Sequence, residues 1–584
     1  MLASKRPLAV ALGVALIACA CKPSTPPAEP QAQAPAQAPK PVEYYGTTEP
    51  FAADAVYFLM TDRFVNGDES NDHRDQAAKN PKLRTFDRPT PGAPKGKSDN
   101  VGYMGGDFRG VLDNANYIRD MGFGAVWITP IVDQPDEAFT GGEPVKWAGF
   151  WTDGGKTGYH GYWGVNFYKL DEHLPSKDLD FRGLAKGLKS HGLKTVLDIV
   201  ANHGSPSFTM PKDQPKFGEI YDRDGKLVAD HMNLAPEKLD PANPLNAFYN
   251  RKPGIAQLSD LNENDPRVLP YLLGAYEQWI GQGADAFRID TIGWMPHSFW
   301  HAFSTKIREK HPGFFMFGEA FEYDAAKIAE HTWPENAGVS VLDFPLQKAM
   351  GEAFGGATSG KPAAGYERIA EALHLTSGPY ANPYDLMTFY DNHDMPRIDA
   401  TDDGFVDANN ALFTLRGIPV VYYGSETGFE RGTAEHAGNR NYYGQERVDA
   451  GKDHRIWRQL RRIANVRKQV PALQRGLQVN VEMQGDRAAF YRVLQQGEAK
   501  QIALVLLNKG ETPAQFSVRE SLQAGQWKNA FDATTVDVAA GGAIEATVAP
   551  HDVAVFVLDG ATVTDATLTT ELDRAMARAR RRVD

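Results

Sequence analysis

From residue 54 onward the chain alternates short apolar runs with longer stretches of helical periodicity, the texture of β/α units built on a parallel sheet. Eight runs read as strands: 55–64 (AVYFLMTDRF), 124–132, 194–203, 284–290, 314–320, 339–344, 386–394 and 419–426. Eight is the number of strands that closes a barrel. Between them 182–192, 265–283 and 297–311 read as helices, and Gly122, Gly192 and Gly283 stand where a helix C-cap glycine belongs. The connections after strands two (about 133–180) and three (about 204–263) exceed what a βα unit needs, and the second is long enough for a small inserted subdomain. After residue 470 apolar runs follow one another without helices, which predicts an antiparallel β-domain over 471–560. The expected fold is therefore α/β: a (β/α)8 barrel over 51–470, a subdomain inserted after strand three, and a C-terminal β-sandwich. Residues 561–584, ending ARARRRVD, could form a basic helix, but a solvated, frayed tail is the preferred reading.

The N-terminus has a different character. Lys5 and Arg6 precede the apolar run PLAVALGVALIA, which is too short to span a bilayer comfortably and reads as an export signal over 1–21. Leu16-Ile17-Ala18-Cys19 resembles the lipobox of bacterial lipoproteins, which implies a lipid on Cys19 and a place facing the periplasm or the cell surface. Residues 22–50 are rich in Pro, Ala and Gln and read as a tether. Cys19 and Cys21 are the only cysteines, so the folded part holds no disulfide. A formal net charge of −12 argues against nucleic acid as a partner, because phosphate contacts need a basic face.

Working residues of a β/α barrel gather at the C-terminal ends of the strands. Here strand three ends in Asp198, Asn202 and His203, strand four in Arg288 and Asp290, strand five in Glu319, and strand seven in Asn392, His393 and Asp394. One such Asp is usually a helix cap. Four strands ending in carboxylates or imidazoles around one rim are harder to assign to capping. Hydrolysis of an acetal needs an acid for the leaving oxygen and a carboxylate for the oxocarbenium-like centre, about 5–5.5 Å apart when configuration is retained. Neighbouring strands are about 4.8 Å apart, so Asp290 and Glu319 could meet that spacing. Arg288, two residues before Asp290, would keep it ionised, while Glu319 in a dry pocket beside negative charge would stay protonated.

DIVANH, AFRID, FGEA and FYDNHD, in order and on the expected strands, resemble the four conserved motifs of the α-amylase superfamily. QLSDLN (257–262) is similar to that family's fifth motif and GYHGYWGVNF (158–167) to its tract after strand two. The likeness runs over most of 54–560, and TDRFVNGDESND, MGGDFRG and FRIDTIGWMP place it nearest bacterial amylases of the cyclodextrin-glucanotransferase type. The resemblance implies Asp290 as nucleophile, Glu319 as general acid/base and Asp394 as the carboxylate that stabilises the transition state. It implies Arg288, His203 and His393 around the reacting glucose, supported by Asp198, with Tyr162 as the platform under the sugar, His160 as a hydrogen-bond donor, and Trp163 beside them. Calcium is the implied cofactor, on Asn66, Asp68, Asn71, Asp72, the Gly105 carbonyl and Asp107. A second site is implied by Asn202 and Asp260.

The chain also departs from those relatives. Ala256 stands where ring-forming enzymes carry a large aromatic, the chain ends after one β-domain, and Gly293-Trp294 replaces a Lys-His pair beyond the scissile bond. The first two departures favour hydrolysis of linear α-1,4-glucan, starch or maltodextrin, over ring formation. Transglycosylation on the same fold is the alternative, and a catalytically dead sugar-binding protein is disfavoured because all three carboxylates are present. Trp147, Phe150 and Trp151 could form a sugar-stacking wall or pack a small core of their own.

Overall fold

The computed structural model describes residues 42–209, 216–360 and 363–580; the export-type segment with Cys19 and most of the tether lie outside the described residues. Eight short strands form the centre: β1 (Val56–Leu59), β2 (Ala125–Ile128), β3 (Lys194–Ile199), β4 (Ala286–Ile289), β5 (Phe315–Gly318), β6 (Ser340–Val341), β7 (Met387–Thr388) and β8 (Ile418–Tyr422). They pair in parallel, each with its sequence neighbours, and a bridge from Leu342 to Met387 joins β6 to β7, so the ring closes. β1, β2, β4, β5 and β8 are buried along their whole length, which is why they read as continuous apolar runs rather than alternating ones. Inside, Phe58 stacks on Trp127 at 3.8 Å and Trp127 meets Phe317 edge-on at 5.4 Å, a filled core beneath the rim.

The strands are shorter than the apolar runs suggest. The run 386–394 contributes only Met387–Thr388 to the ladder. Its polar end has left the sheet, and that is what lets Asn392, His393 and Asp394 reach the rim.

The helices pack around the barrel. Labelled in chain order, they include α1 (Phe108–Asp113), α2 (Phe181–Ser190), α3 (Val268–Gln282), α4 (His297–Lys310) and α5 (Asp402–Thr414). Most turn one face inward, while α5 is buried on all sides from Phe405 to Thr414. In α2, Phe181, Leu184, Ala185 and Leu188 face inward, the Asp180 side chain accepts from the Gly183 N–H, and the chain turns away at Gly192 with φ +77°. After β3 the excursion is held by antiparallel pairing of His203–Pro206 with Leu258–Asp260, and it carries a hairpin of Glu219–Tyr221 with Leu227–Asp230.

Beyond the barrel, β9 (Leu477–Gln484), β10 (Arg487–Gln496), β11 (Ala499–Asn508), β12 (Ala514–Val518), β13 (Gly525–Asn529), β14 (Thr535–Val538), β15 (Ile544–Val548) and β16 (Asp552–Asp559) form an antiparallel domain. Six of them make one sheet, β9-β10-β11-β16-β13-β14, and β12 pairs with β15. Ala503, Val505 and Leu507 of β11 belong to the barrel's core, whereas Ile502, Leu504 and Leu506 belong to a second one. Both faces are dry, so the run IALVLLN shows no polar alternation. The tail differs from expectation. Residues Ala566–Arg580 form a helix, α6, whose Leu568, Leu572, Ala575 and Met576 are buried in that second core. The i, i+4, i+7, i+8 spacing of these four residues makes an apolar stripe that the flanking arginines mask. Among the described residues no helix is long and apolar enough to cross a membrane.

Candidate active site at the barrel rim

The ladder itself sets the spacing of the key carboxylates. β4 and β5 pair Ile289 with Gly318, so Asp290 and Glu319 are the next residues on adjacent strands. Continuing backbone bonds hold them there: the Asp290 N–H donates to Ile199 O and the Glu319 N–H to Ile289 O, each at 2.8 Å. Adjacent strands lie about 4.8 Å apart, close to the roughly 5–5.5 Å between carboxyl groups that a retaining pair requires.

Arg288, fully buried, gathers three carboxylates. Its Nη1 donates to Asp198 Oδ1 at 2.9 Å and to Asp290 Oδ1 at 2.8 Å, and its Nη2 lies 2.7 Å from Glu319 Oε2. Asp198 is pinned in turn by the Trp127 Nε1–H at 3.0 Å and the Tyr162 hydroxyl at 2.9 Å. Burial pushes the Glu319 carboxyl well above the usual glutamate value; Arg288 opposes this, while Asp394, Asp290 and Asp198 add to it. Glu319 Oε1 has no hydrogen-bond partner in the protein. A neutral carboxyl with one free oxygen is the form a general acid needs.

The imidazoles surround this centre. His393 Nε2 is 2.8 Å from the Tyr162 hydroxyl and 3.0 Å from Asp394 Oδ2. Tyr162 and His393 lie nearly parallel, ring centroids 5.6 Å apart, and His160 lies beside Tyr162 at the same distance. Burial lowers the pKa of His160, His203 and His393, and nearby cations lower the first and last further, so all three rings are neutral hydrogen-bonding groups. Trp163 is placed differently from expectation. It is 2% exposed and packs against Phe139 and Phe217, with His160 edge-on at 4.8 Å, so it braces His160 from behind and offers no face to a sugar.

Arg440, Glu435 and Lys156 were not singled out by the sequence. Arg440 Nη2 donates to Asp394 Oδ1 at 2.7 Å, its Nε donates to the His393 carbonyl, and its Nη1 meets Glu435 Oε1 at 3.1 Å; Lys156 Nζ meets the same Glu435 oxygen at 3.4 Å. Arg440 and Lys156 lie in irregular segments and Glu435 opens a short 3-10 turn, Glu435–Ala437, so none shows periodicity, and only an isolated Arg in GNRNYYG hinted at them.

The Asn/Asp turn converges in part. Asp107 caps α1 through Gly110 and also accepts the N–H groups of Gly67 and Asp68 and the Asn71 amide. The Asn66 amide donates to Asp72 Oδ1 at 2.8 Å. Gly105 sits at φ +89° with its Cα against Asn66 and Asp72, where a Cβ would collide with both. Asn66 Oδ1 and Asn71 Oδ1 are buried without a partner. Two orphan amide oxygens beside the Asp72 and Asp107 carboxylates are hard donors of the kind calcium takes, so these residues fit the ion. Asp68 is the exception: its carboxylate turns outward onto Ser70, 3.0 Å from the N–H and 2.6 Å from the hydroxyl. Asn202 and Asp260 come side by side through the pairing of His203 with Asp260, and Asn250 bridges Asp260, the Leu261 carbonyl and Glu263. In a further carboxylate–imidazole group, Asp171 accepts from the Tyr103 hydroxyl and pairs with His173, and Glu172 accepts from the Gln76 amide.

Among the aromatic residues of the loop before GYHGYW, Phe150 is 45% and Trp151 71% exposed, so neither packs a core of its own. Ala256 is exposed at φ +48°.

Comparison with known proteins agrees with this geometry. Residues 58–484 match the model of the α-amylase catalytic domain. The cyclomaltodextrin glucanotransferase of Klebsiella oxytoca is 28% identical over 508 residues, 79% of this chain and 71% of the relative. That of Geobacillus stearothermophilus is 27% identical, over 85% of this chain and 66% of its own length. Among solved structures, a cyclomaltodextrin glucanotransferase with a three-domain ABC distribution superposes with a TM-score of 0.67 at 28% identity, over 87% of this chain and 99% of that one. An Anoxybacillus α-amylase shares the fold, with a TM-score of 0.65 at 24% identity, over 88% of this chain and 99% of that one. The chain belongs to the α-amylase family of glycosidic-bond enzymes, and within it to the type that resembles the cyclomaltodextrin glucanotransferases.

Proposed function

We propose that the protein is a retaining α-glucan hydrolase that cleaves α-1,4-glucosidic bonds of starch or maltodextrins by double displacement. The observation that carries this reading is the pair Asp290 and Glu319, opposite one another on paired strands, sharing Arg288, with Glu319 kept neutral by burial. Asp290 attacks the anomeric carbon as Glu319 gives its proton to the leaving oxygen. Water then opens the glycosyl ester on Asp290 and returns a proton to Glu319, so the α configuration is kept. Asp394, oriented by Arg440, and the neutral His203 and His393 hold the sugar as positive charge develops. Calcium belongs to this reading as a structural ion on Asn66, Asn71, Asp72, Asp107 and the Gly105 carbonyl. Its charge would balance carboxylates that otherwise repel across the turn.

Glucanotransfer is the second reading, favoured by the identity of the relatives. Domain number does not separate the two, because a three-domain glucanotransferase is matched almost end to end. Ala256 supports hydrolysis: the rim carries a methyl group there and no ring around which a glucan could wind. The test is the product profile from soluble starch and maltoheptaose with calcium present. Linear α-maltooligosaccharides from the wild type, and none from Asp290→Asn, are expected. Rings or oligomers longer than the substrate would transfer the assignment to glucanotransfer, and no turnover of either glucan would overturn both readings.

A further inference from the structure

Two clefts meet at one exposed tryptophan. The first, of about 500 Å³, is lined by Glu319, Phe321 and the turn from Thr291 to His297. The second, of about 770 Å³, is cut into the excursion after β3 and is lined by Asn246, Asn250, Lys252, Asn262 and Asn264, among others. Trp294 borders both and is 57% exposed.

The backbone holds that ring out deliberately. Thr291 adopts φ +49°, unfavourable for a β-branched residue, and starts a single 3-10 turn, Ile292–Trp294. The Trp294 N–H closes the turn on Thr291 O at 3.0 Å, and the Ile292 N–H donates to Glu319 O at 3.1 Å. Ile292 is buried, so the turn is anchored and its apolar tip is fixed relative to the acid. A strained turn that presents a large apolar ring to water has no explanation in core packing.

The chemistry of the walls says which part of a substrate meets the ring. Glu319 protonates the leaving oxygen. The first cleft contains Glu319 but none of Tyr162, His160, His203, His393 or Asp394, the groups around the cleaved sugar. It is therefore the leaving-group side. The second cleft mixes its asparagine amides with the charged groups of Arg251, Lys252, Asp260, Glu263 and Asp265, a polar wall that suits the hydroxyl groups of a sugar chain.

We propose that Trp294 is a specificity-determining platform: a glucosyl unit beyond the cleaved bond stacks on it, and the leaving chain turns there from the acid's cleft into the cleft of the excursion. The favoured substrates then carry several α-1,4-linked units on the leaving-group side. This inference rests on the glycosidase reading above.

Its test compares two substrates in wild type, Trp294→Ala and Trp294→Phe. Maltoheptaose can fill the leaving-group side; α-maltotriosyl fluoride, whose leaving group is one atom, cannot. In Trp294→Ala the loss of kcat/KM on maltoheptaose should exceed the loss on the fluoride by about tenfold or more. Its cleavage of end-labelled maltoheptaose should also shift to other bonds, and Trp294→Phe should recover most of both. Equal losses on the two substrates, or no loss on maltoheptaose, would overturn the proposal. If wild type does not turn over the fluoride at all, the glycosidase reading itself fails.

Discussion

At the scale of single residues, the acid is held in its working form at a cost to the fold. Burial raises the Glu319 carboxyl, so the folded protein keeps this proton over a pH range in which the unfolded chain has released it. Its contribution to stability is complete below the ordinary glutamate value and is lost as pH rises toward the folded value. Glu319→Gln, neutral at every pH, escapes that loss. It should be inactive, yet more stable than wild type by about 1–2 kcal/mol at pH 7–8 and no more stable near pH 4. Urea unfolding at the two pH values checks this, and an equal difference at both would show that Glu319 is not perturbed by the fold. The same scale shows what sequence could reveal. Asp290 and Glu319 were legible because strand ends point at a barrel's rim. Arg440 was not, since nothing about an arginine in an irregular loop marks it as the partner of a carboxylate 46 residues away. Trp163 misled for a related reason: it shares a motif with Tyr162 but faces the other way.

At the scale of elements, the polar turn after β1 and the start of α1 depend on one side chain. Asp107 is wholly buried and accepts four N–H groups, at 2.7 Å from Gly110, 2.8 Å from Asp68, 3.1 Å from Gly67 and 3.2 Å from Asn71. Asp107→Ala removes the cap of α1 and strands three further donors, which should lower stability by about 2–4 kcal/mol. If this cluster also holds calcium, wild type should unfold at a higher temperature in calcium than in EGTA, and the variant should lose that difference. A variant that still responds like wild type would place the ion elsewhere. Sequence alone suggested the turn from its Asn and Asp residues but could not show that Asp68 faces outward, because spacing does not reveal which carboxylate a tight turn directs to solvent. Periodicity did locate the strands and helices. At α6 the run of arginines favoured a solvated tail over a helix, and the apolar stripe that docks it went unread.

For the whole molecule, the junction between barrel and β-domain is sealed by an arginine in an apolar strand. β10 alternates its faces: Ala488, Phe490 and Leu494 enter the barrel's core, while Ala489, Tyr491 and Val493 enter the second. Arg492 breaks the first series, yet it is fully buried. Its Nη1 donates at 2.7 Å to both Thr414 O and Leu415 O, and its Nη2 donates to Gly476 O at 3.1 Å. Thr414 ends α5, so a side chain of the β-domain satisfies carbonyls that a helix end leaves open and places a cation at the negative end of its dipole. Burial lowers the guanidinium to about 10, which still leaves it charged at neutral pH. Arg492→Met fills similar volume but strands those carbonyls, a cost of about 3 kcal/mol. The rim residues contact none of these groups, so turnover at 25 °C should change little while the half-life of activity on heating shortens markedly. Arg492→Lys, with one ammonium still within reach of the helix end, should fall between. If Arg492→Met lives as long as wild type, the capping role assigned to this arginine is wrong.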